Sequence, residues 1–439
     1  MLNILLLILI LFYFSCANYY YYSKYIYTLY TMSLKIGAEN WPKSSSQKDE
    51  EPLIVIREYD EEKHKVEVEK LERLCEVGQR GKPSLVTDLL GDPICRIRHF
   101  QLHVMLVAEY GKEGEIVGVI RGCVKTVARG NSAYVKLAYV LGLRVSPKHR
   151  RFGIGTKLVE HLEEWCKQKG AKYAYMATDC TNEPSINLFT KKCGYSKFRT
   201  LTMLVQPVHA HYKPISTSIA VLRLPPRLAG LTYNHMFTNS EFFPKDMDLI
   251  LSNKLNLGTF MAIPKKYLTK CDPKNGIFPP SYAILSVWNT KEVFKLQVKG
   301  MSPFVHACCV GTRLLDGCMP WLKLPSFPNV FRPFGIYLMY GLQMEGKFGK
   351  QLMKSLCGFV HNMARDDGGC GAIVAEVSQR DPVREAIPHW SKLSWAEDMW
   401  CIKNLEDMKK EIFHEKCGLS NWLNYRSSSS VIFVDPRDF

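Results

Sequence analysis

The chain has no CxxC pair among its 15 cysteines, no long basic block, and no apolar stretch of comfortable transmembrane length. Scattered cysteines in a chain of 439 residues, too long to need disulfide staples, point to a reduced intracellular protein. His306, Cys308 and Cys309 lie close together, but an apolar strand accounts for them and no metal is expected. A net charge of +16 implies attraction to anions, including nucleic acid and acidic protein surfaces. Without a basic block, sequence-specific nucleic-acid binding is not expected. The apolar run Leu2–Phe14 has the length of a signal-peptide core and is short for a span. It lacks a positive flank and continues into Tyr19-Tyr20-Tyr21-Tyr22, so no membrane role is expected either.

What is present favours well-buried cores. The apolar fraction is 46%, there are eight Trp, and the length allows two or three domains. The most informative stretch is Arg150-Arg151-Phe152-Gly153-Ile154-Gly155. It follows the apolar run 139–145 and the break Ser146-Pro147, and opens into an amphipathic helical pattern over Thr156–Gln168. A strand ending in a basic, Gly-spaced turn at a helix N-terminus is an anion site. The glycines let backbone approach a phosphate, first-turn N–H groups point at it, and arginines add charge-assisted bonds. A bare Gly-x-Gly would be read as a plain turn. Arg-x-x-Gly-x-Gly in a strand–turn–helix setting is read as a pyrophosphate cradle.

That pattern resembles the acetyl-CoA loop of the Gcn5-related N-acetyltransferases. The resemblance covers about residues 53–207, with a strand over Ala171–Ala177, a helix from Asn182 to Lys192, and Cys193-Gly194-Tyr195 before the last strand. Longer runs are similar to the plant Hookless-type probable N-acetyltransferases: Cys75-Glu76-Val77-Gly78, the stretch from Thr87 to Arg98, and Ile432-Phe433-Val434-Asp435-Pro436-Arg437. The resemblance implies an α+β fold, a mixed and mostly antiparallel sheet with flanking helices, over residues 52–210. Residues 1–51 depart from the family. A start assigned too far upstream, with Met32 as a downstream alternative, and a targeting segment are the two readings of that extension.

Residues 215–439 read as a second, degenerate copy. Ile154, Leu158, Leu162 and Trp165 recur 194 residues later as Phe348, Leu352, Leu356 and Phe359, and Gly155 recurs as Gly349. Apolar strands over 334–340 and 371–377 flank that second helix, and Arg380-Asp381-Pro382 follows where Asn182-Glu183-Pro184 followed the first. The same shift puts Met344 at the place of Arg150 and Lys347 at that of Gly153, with Glu345 repelling phosphate, so no second cradle is expected.

By the resemblance, acetyl-CoA is the co-substrate, with the amides of Leu143 and Val145, flanking Arg144, polarising the thioester carbonyl. Arg150, Arg151, Phe152, Gly153, Ile154, Gly155 and Thr156 would hold the pyrophosphate, and Asn182 and Asn187 the rest of the arm. Asn182 reads equally well as a helix cap. A lysine amine with a pKa near ~10.4 needs a base, yet Tyr134–Val145 contains no carboxylate. Asp179 is the nearest candidate, with a solvated strand-end Asp as the plainer reading; Glu109 and Glu58 are weaker. The family's thiolate-protonating Tyr falls at Phe189, and Tyr195 reads as a core aromatic. A leaving thiol with a pKa near ~8.5 can do without an acid.

The expectation is therefore a protein N-acetyltransferase, with histone lysines among the candidate acceptors, acting in the nucleus (or cytoplasm) as a regulator of plant hormone and growth responses. A non-catalytic acetyl-CoA-binding regulator is the alternative. A chromatin-binding module without CoA rests on net charge alone.

Overall fold

A computed structural model describes residues 54–75, 84–130, 133–237, 239–270, 277–391, 394, 398–406, 422 and 431–439. The extension 1–51 lies outside them. The first half runs β1 (Ile54–Glu58), α1 (Glu61–Leu74), β2 (Ser84–Asp88), β3 (Leu102–Tyr110), β4 (Glu115–Arg129), β5 (Tyr134–Val145), α2 (Ile154–Gln168), β6 (Tyr173–Asp179), α3 (Glu183–Asn187) and β7 (Ser196–Pro207). The second runs β8 (Ile219–Leu224), α4 (Pro226–Phe237), β9 (Glu241–Pro244), α5 (Met247–Leu251), β10 (Asn256–Pro264), β11 (Tyr282–Asn289), β12 (Lys295–Lys299), α6 (Pro303–Cys318), β13 (Gly335–Glu345), α7 (Gly349–Asp366), β14 (Cys370–Ser378) and β15 (Asp398–Asn404).

Period-two patterning makes the strands two-faced. On β5, Ala138 and Val140 pack towards α2 while Leu137, Tyr139 and Leu141 pack on the opposite face. Helix α2 buries Ile154, Leu158, Val159, Leu162 and Cys166, a stripe at helical spacing. Each fully buried side chain of that size contributes about 1.5–3 kcal/mol. Gly170, at φ 82°, stops the helix in the left-handed region that its missing Cβ permits. Helix α7 repeats the stripe with Leu352, Met353, Leu356, Cys357, Val360 and Ala364. Phe348 is not part of it: it caps the helix and is 37% exposed, while Phe359 is half-buried against Phe260.

One sheet carries both halves, in the order β1-β3-β4-β5-β6-β15-β7-β14-β13-β11-β10-β8, with β9 attached to β4 and β2 paired with β12 in a separate ribbon. The order is palindromic in role. Strands β1, β3, β4 and β5 are antiparallel neighbours and β5–β6 is parallel; β8, β10, β11, β13 and β14 repeat this. The second half thus repeats the strand-pairing pattern of the first. The closing strands cross over at the middle: β15 pairs with β6 of the first half, and β7 pairs with β14 of the second.

The true offset between copies is not constant. Strands β5 and β6 recur as β13 and β14 at a shift of 199: Gly142 and Gly341 sit at the same bulge with φ 63° and 59°. The helix stripes repeat at 194 because eight residues (146–153) join β5 to α2, whereas three (346–348) join β13 to α7. Met344 therefore stands on β13 beside Ala283, as Val145 stands beside Gly118, and no residue takes the place of Arg150.

Candidate active site at the diverging strands

Strands β5 and β6 are hydrogen-bonded only from Leu137/Tyr173 to Val140/Met176. Beyond that they part, leaving Leu141–Val145 on one side and Ala177–Asp179 on the other. Successive amides of an extended strand point to opposite edges, so backbone donors of the distal part of β5 face this V-shaped gap. The divergence starts at a bulge. Register slips between Val119 and Arg121, and Gly142 takes a left-handed φ whose Cβ would lie 2.7 Å from Arg121 Nη1. The buried Arg121 fixes the bulge: Nε donates to Pro93 O at 2.6 Å, Nη1 to Gly142 O at 3.3 Å, and Nη2 pairs with Glu72 at 2.8 Å. Arg144 approaches the same Glu72 at 3.7 Å.

Past Val145 the chain makes a short 3-10 turn (Pro147–His149) and enters the basic turn. Arg151 has φ 70° and Gly153, the N-cap, φ 77°. Among the described residues no side chain caps α2, and its first turn contains no acidic residue, an arrangement that suits an anion at its terminal N–H groups. Arg150, Arg151, Phe152 and Gly153 are exposed, and among the described residues neither arginine makes an ion pair. Ile154 is buried beneath them, and Gly155 lies where a Cβ would come within 3.3 Å of Leu188 and next to Val145 and Leu143. Thr156 is half-buried on the same turn. The sequence-derived residues Leu143, Arg144, Val145 and Arg150 to Thr156 are thus one continuous lip of the gap.

On the other lip, Asn182 caps α3, accepting from Ser185 N at 3.4 Å while its amide donates to Thr178 Oγ1 at 3.2 Å. The capping reading is therefore realised; Asn187, at the end of α3, is exposed. Asp179 stands partly exposed at the end of β6. It accepts from Thr181 N and Oγ1 at 2.6 and 2.5 Å, and directly opposite it across the β6–β15 pair stands Asp398. Burial and the Asp179 charge push the Asp398 carboxyl up to about 6. Two strands further on is Glu376 on β14, raised to about 8 by burial, the Asp398 charge and, against these, a bond from Trp400 Nε1 at 3.3 Å. Neither Asp398 nor Glu376 is visible as a site residue in the sequence, since strand pairing over some two hundred residues brings them there.

The weaker carboxylates are elsewhere or engaged: Glu109 is paired with Arg57 at 2.8 Å, and Glu58 is exposed on the edge strand β1. Phe189 is a core residue packed edge-on to Tyr195 at 5.1 Å. The Tyr195 hydroxyl is buried without a hydrogen-bond partner among the described residues, and burial and Glu163 hold it well above its usual range, which makes it a poor acid. His306, Cys308 and Cys309 are on helix α6, not on the expected strand, because Ser302 caps a helix there, accepting from Val305 N at 3.4 Å. Among the described residues no group of three His, Cys, Asp or Glu is placed to hold a metal, and no helix is long and apolar enough to cross a membrane.

The second half has the same divergence, from Met339/Ala375 onward. The segment Val431–Val434 lies against Tyr340, Gly341, Leu342, Glu376 and Asp381, leaving a pocket of about 20 Å³, enough for a water.

The profile of the acetyltransferase (GNAT) family matches residues 69–195. The chain is 49% identical over 410 residues to the probable N-acetyltransferase HLS1 of Arabidopsis thaliana, covering 88% of this chain and all of the relative. It is 47% identical over 418 residues to the HLS1-like protein of the same plant, covering 88% and 99%. It is 40% identical over 428 residues to the acetyl transferase GW6a of Oryza sativa subsp. japonica, covering 88% and 98%. Among solved structures, N-myristoyltransferase of Saccharomyces cerevisiae with bound myristoyl-CoA aligns at a TM-score of 0.48 and 11% identity, over 84% of this chain and 81% of that one. A GCN5-related N-acetyltransferase from Kribbella flavida aligns at 0.43 and 12%, over 80% and 71%.

Proposed function

Because the chain belongs to the HLS1-type probable N-acetyltransferases, acyltransferase enzymes of the GNAT family, we propose that it moves the acetyl group of acetyl-CoA onto an amine of a protein, with histone lysines as the first candidates. The observation that carries this reading is the contrast between the two copies. The β5–β6 gap leads to a long, exposed, basic turn on an uncapped helix, whereas the β13–β14 gap is lined by Val431–Val434 and its turn is three residues long.

In this reading the pyrophosphate lies over Arg150–Thr156, held by first-turn N–H groups and the guanidiniums of Arg150 and Arg151, of which Arg150 also reaches Val145 O at 3.5 Å. Asn182 and Asn187 flank the arm. The amides of Leu143 and Val145 face the thioester carbonyl and stabilise the negative charge that grows on its oxygen when the amine attacks. Asp179 lies at the end of the gap, where the amine must shed a proton. The thiolate leaves without a tyrosine to protonate it, since Phe189 occupies that place.

The proposal extends to location and role: a nuclear regulator of plant hormone and growth responses, its net charge of +16 suiting acidic surfaces such as those of chromatin. Imaging of a fluorescent fusion tests the location. Transfer of labelled acetyl from acetyl-CoA to an array of lysine peptides, histone tails among them, tests the reaction. Labelled peptides support the proposal. CoA binding without any transfer would favour the second reading, a regulator that binds acetyl-CoA without turnover, for which Phe189 and the carboxylate-free β5 speak.

A further inference from the structure

The site as read from the first half lacks a convincing base. No residue of β5 is acidic, Glu109 is paired with Arg57, and Asp179 is held by Thr181. The strand exchange supplies what is missing. β15 comes from the second half, inserts beside β6, and puts Asp398 opposite Asp179 at the end of the diverging pair. Asp398 is half-buried, and among the described residues its carboxylate makes neither an ion pair nor a hydrogen bond. The charged groups on the elements packed around it are Asp179 on β6, Glu376 on β14 and, on β7, Lys197 and Arg199, the last bound through both nitrogens to Glu241 at 2.9 Å. A half-buried carboxylate facing a second carboxylate, with no cation of its own, is a receiver for a positive group and its proton.

We propose that Asp398, lent to the first active site by the second half, is the group that takes the proton from the acceptor ammonium, with Asp179 as its charge partner. The inference rests on the acetyl-transfer reading above. The ammonium R–NH3+ gives one proton to the Asp398 carboxylate. The freed amine attacks the thioester carbonyl carbon, forming the C–N bond, and the C–S bond breaks with its electron pair going to sulfur. The thiolate collects the second nitrogen-bound proton, and Asp398 returns the first to water. The products are the acetylated amine, CoA thiol and one released proton. This gives the degenerate copy a catalytic reason to persist: without β15 the first site has Asp179 alone.

The test uses the full chain, acetyl-CoA and a pool of lysine peptides, with calorimetric CoA affinity measured for every variant as a control on fold and cofactor site. Asp398→Asn is expected to keep CoA affinity and to lose about 10²-fold or more of kcat/KM near neutrality. It should recover as pH rises towards the amine's own pKa, and Asp398→Glu should restore part of the rate. In the wild type the acid limb of the rate profile should fall near pH 6; in Asp179→Asn it should move lower, because a neighbouring negative charge has been removed. Asp398→Asn with the wild-type rate and profile would overturn this assignment and leave the acetyl-transfer reading standing. A wild type that binds CoA but labels no peptide would overturn the protein-acceptor reading, and this assignment with it.

Discussion

The indole N–H of Trp400, on β15, donates to Glu376 on β14 at 3.3 Å, reaching past β7, which separates the two strands. Burial and the Asp398 charge raise the Glu376 carboxyl from 4.5 to about 8, so the folded protein holds a proton there that the unfolded chain has already released by neutrality. The stabilising contribution is complete below about pH 4.5 and is lost as pH climbs through about 8. Glu376→Gln keeps an acceptor for the indole and has no charge to bury. It should be more stable than wild type at pH 8.5, on the order of a few kcal/mol, and nearly equal to it at pH 5. Urea midpoints at the two pH values check this; equal gaps at both would count against it.

Lys125 is buried between Asp438 at 2.6 Å and Asp435 at 3.3 Å, with Tyr175 donating to Asp438 at 2.6 Å. Burial opposes charge here, but Arg437 and Lys125 outweigh it and hold Asp435 far below the usual carboxylate range. Lys125→Met leaves Asp435 with Arg437 at 2.8 Å but strands the Asp438 carboxylate, which should cost about 3–5 kcal/mol in chemical denaturation.

The two apolar anchors of the second helix should differ in weight. Leu352 is 1% exposed, so Leu352→Asp puts an unpaired charge in a core and should unfold the second half or cost several kcal/mol. Phe348 is a solvent-facing cap, and Phe348→Ala should cost less than about 1 kcal/mol. Thermal melts of the two variants check the contrast.

Gly142→Ala tests the bulge that opens the gap. The new Cβ would meet the anchored Arg121 guanidinium in a left-handed conformation, and about 1–3 kcal/mol of stability should be lost. CoA affinity should fall as well, because the amides of Leu143 and Val145 would be re-aimed. A melt and a CoA titration on one sample measure both effects.

Much of this was legible because it is local. Periodicity marks the buried stripe of α2, and the spacing of Arg150, Gly153 and Gly155 marks a phosphate-facing turn. A recurrent stripe reveals the second copy. Periodicity does not say where a helix starts, which is why Phe348 looked like core, nor how long the loop before it is, which is why Met344 looked like a substitute for Arg150. Strand exchange was hidden altogether. Which of β6 and β14 a closing strand joins depends on contacts across about two hundred residues, and Asp398 and Glu376 acquire meaning only through that choice. The run from Pro303 was apolar enough for a strand and became α6.

The central claim is one working cofactor site, at the β5–β6 gap. Isothermal titration of the full chain with acetyl-CoA tests it most directly, run on the wild type and on Arg150→Ala combined with Gly153→Asp. The expected result is one equivalent bound by the wild type and an affinity at least ~10²-fold lower in the double variant, since a charge-assisted contact is replaced by a repulsive carboxylate. Two equivalents bound, or an unchanged affinity in a double variant with native circular dichroism, would contradict it.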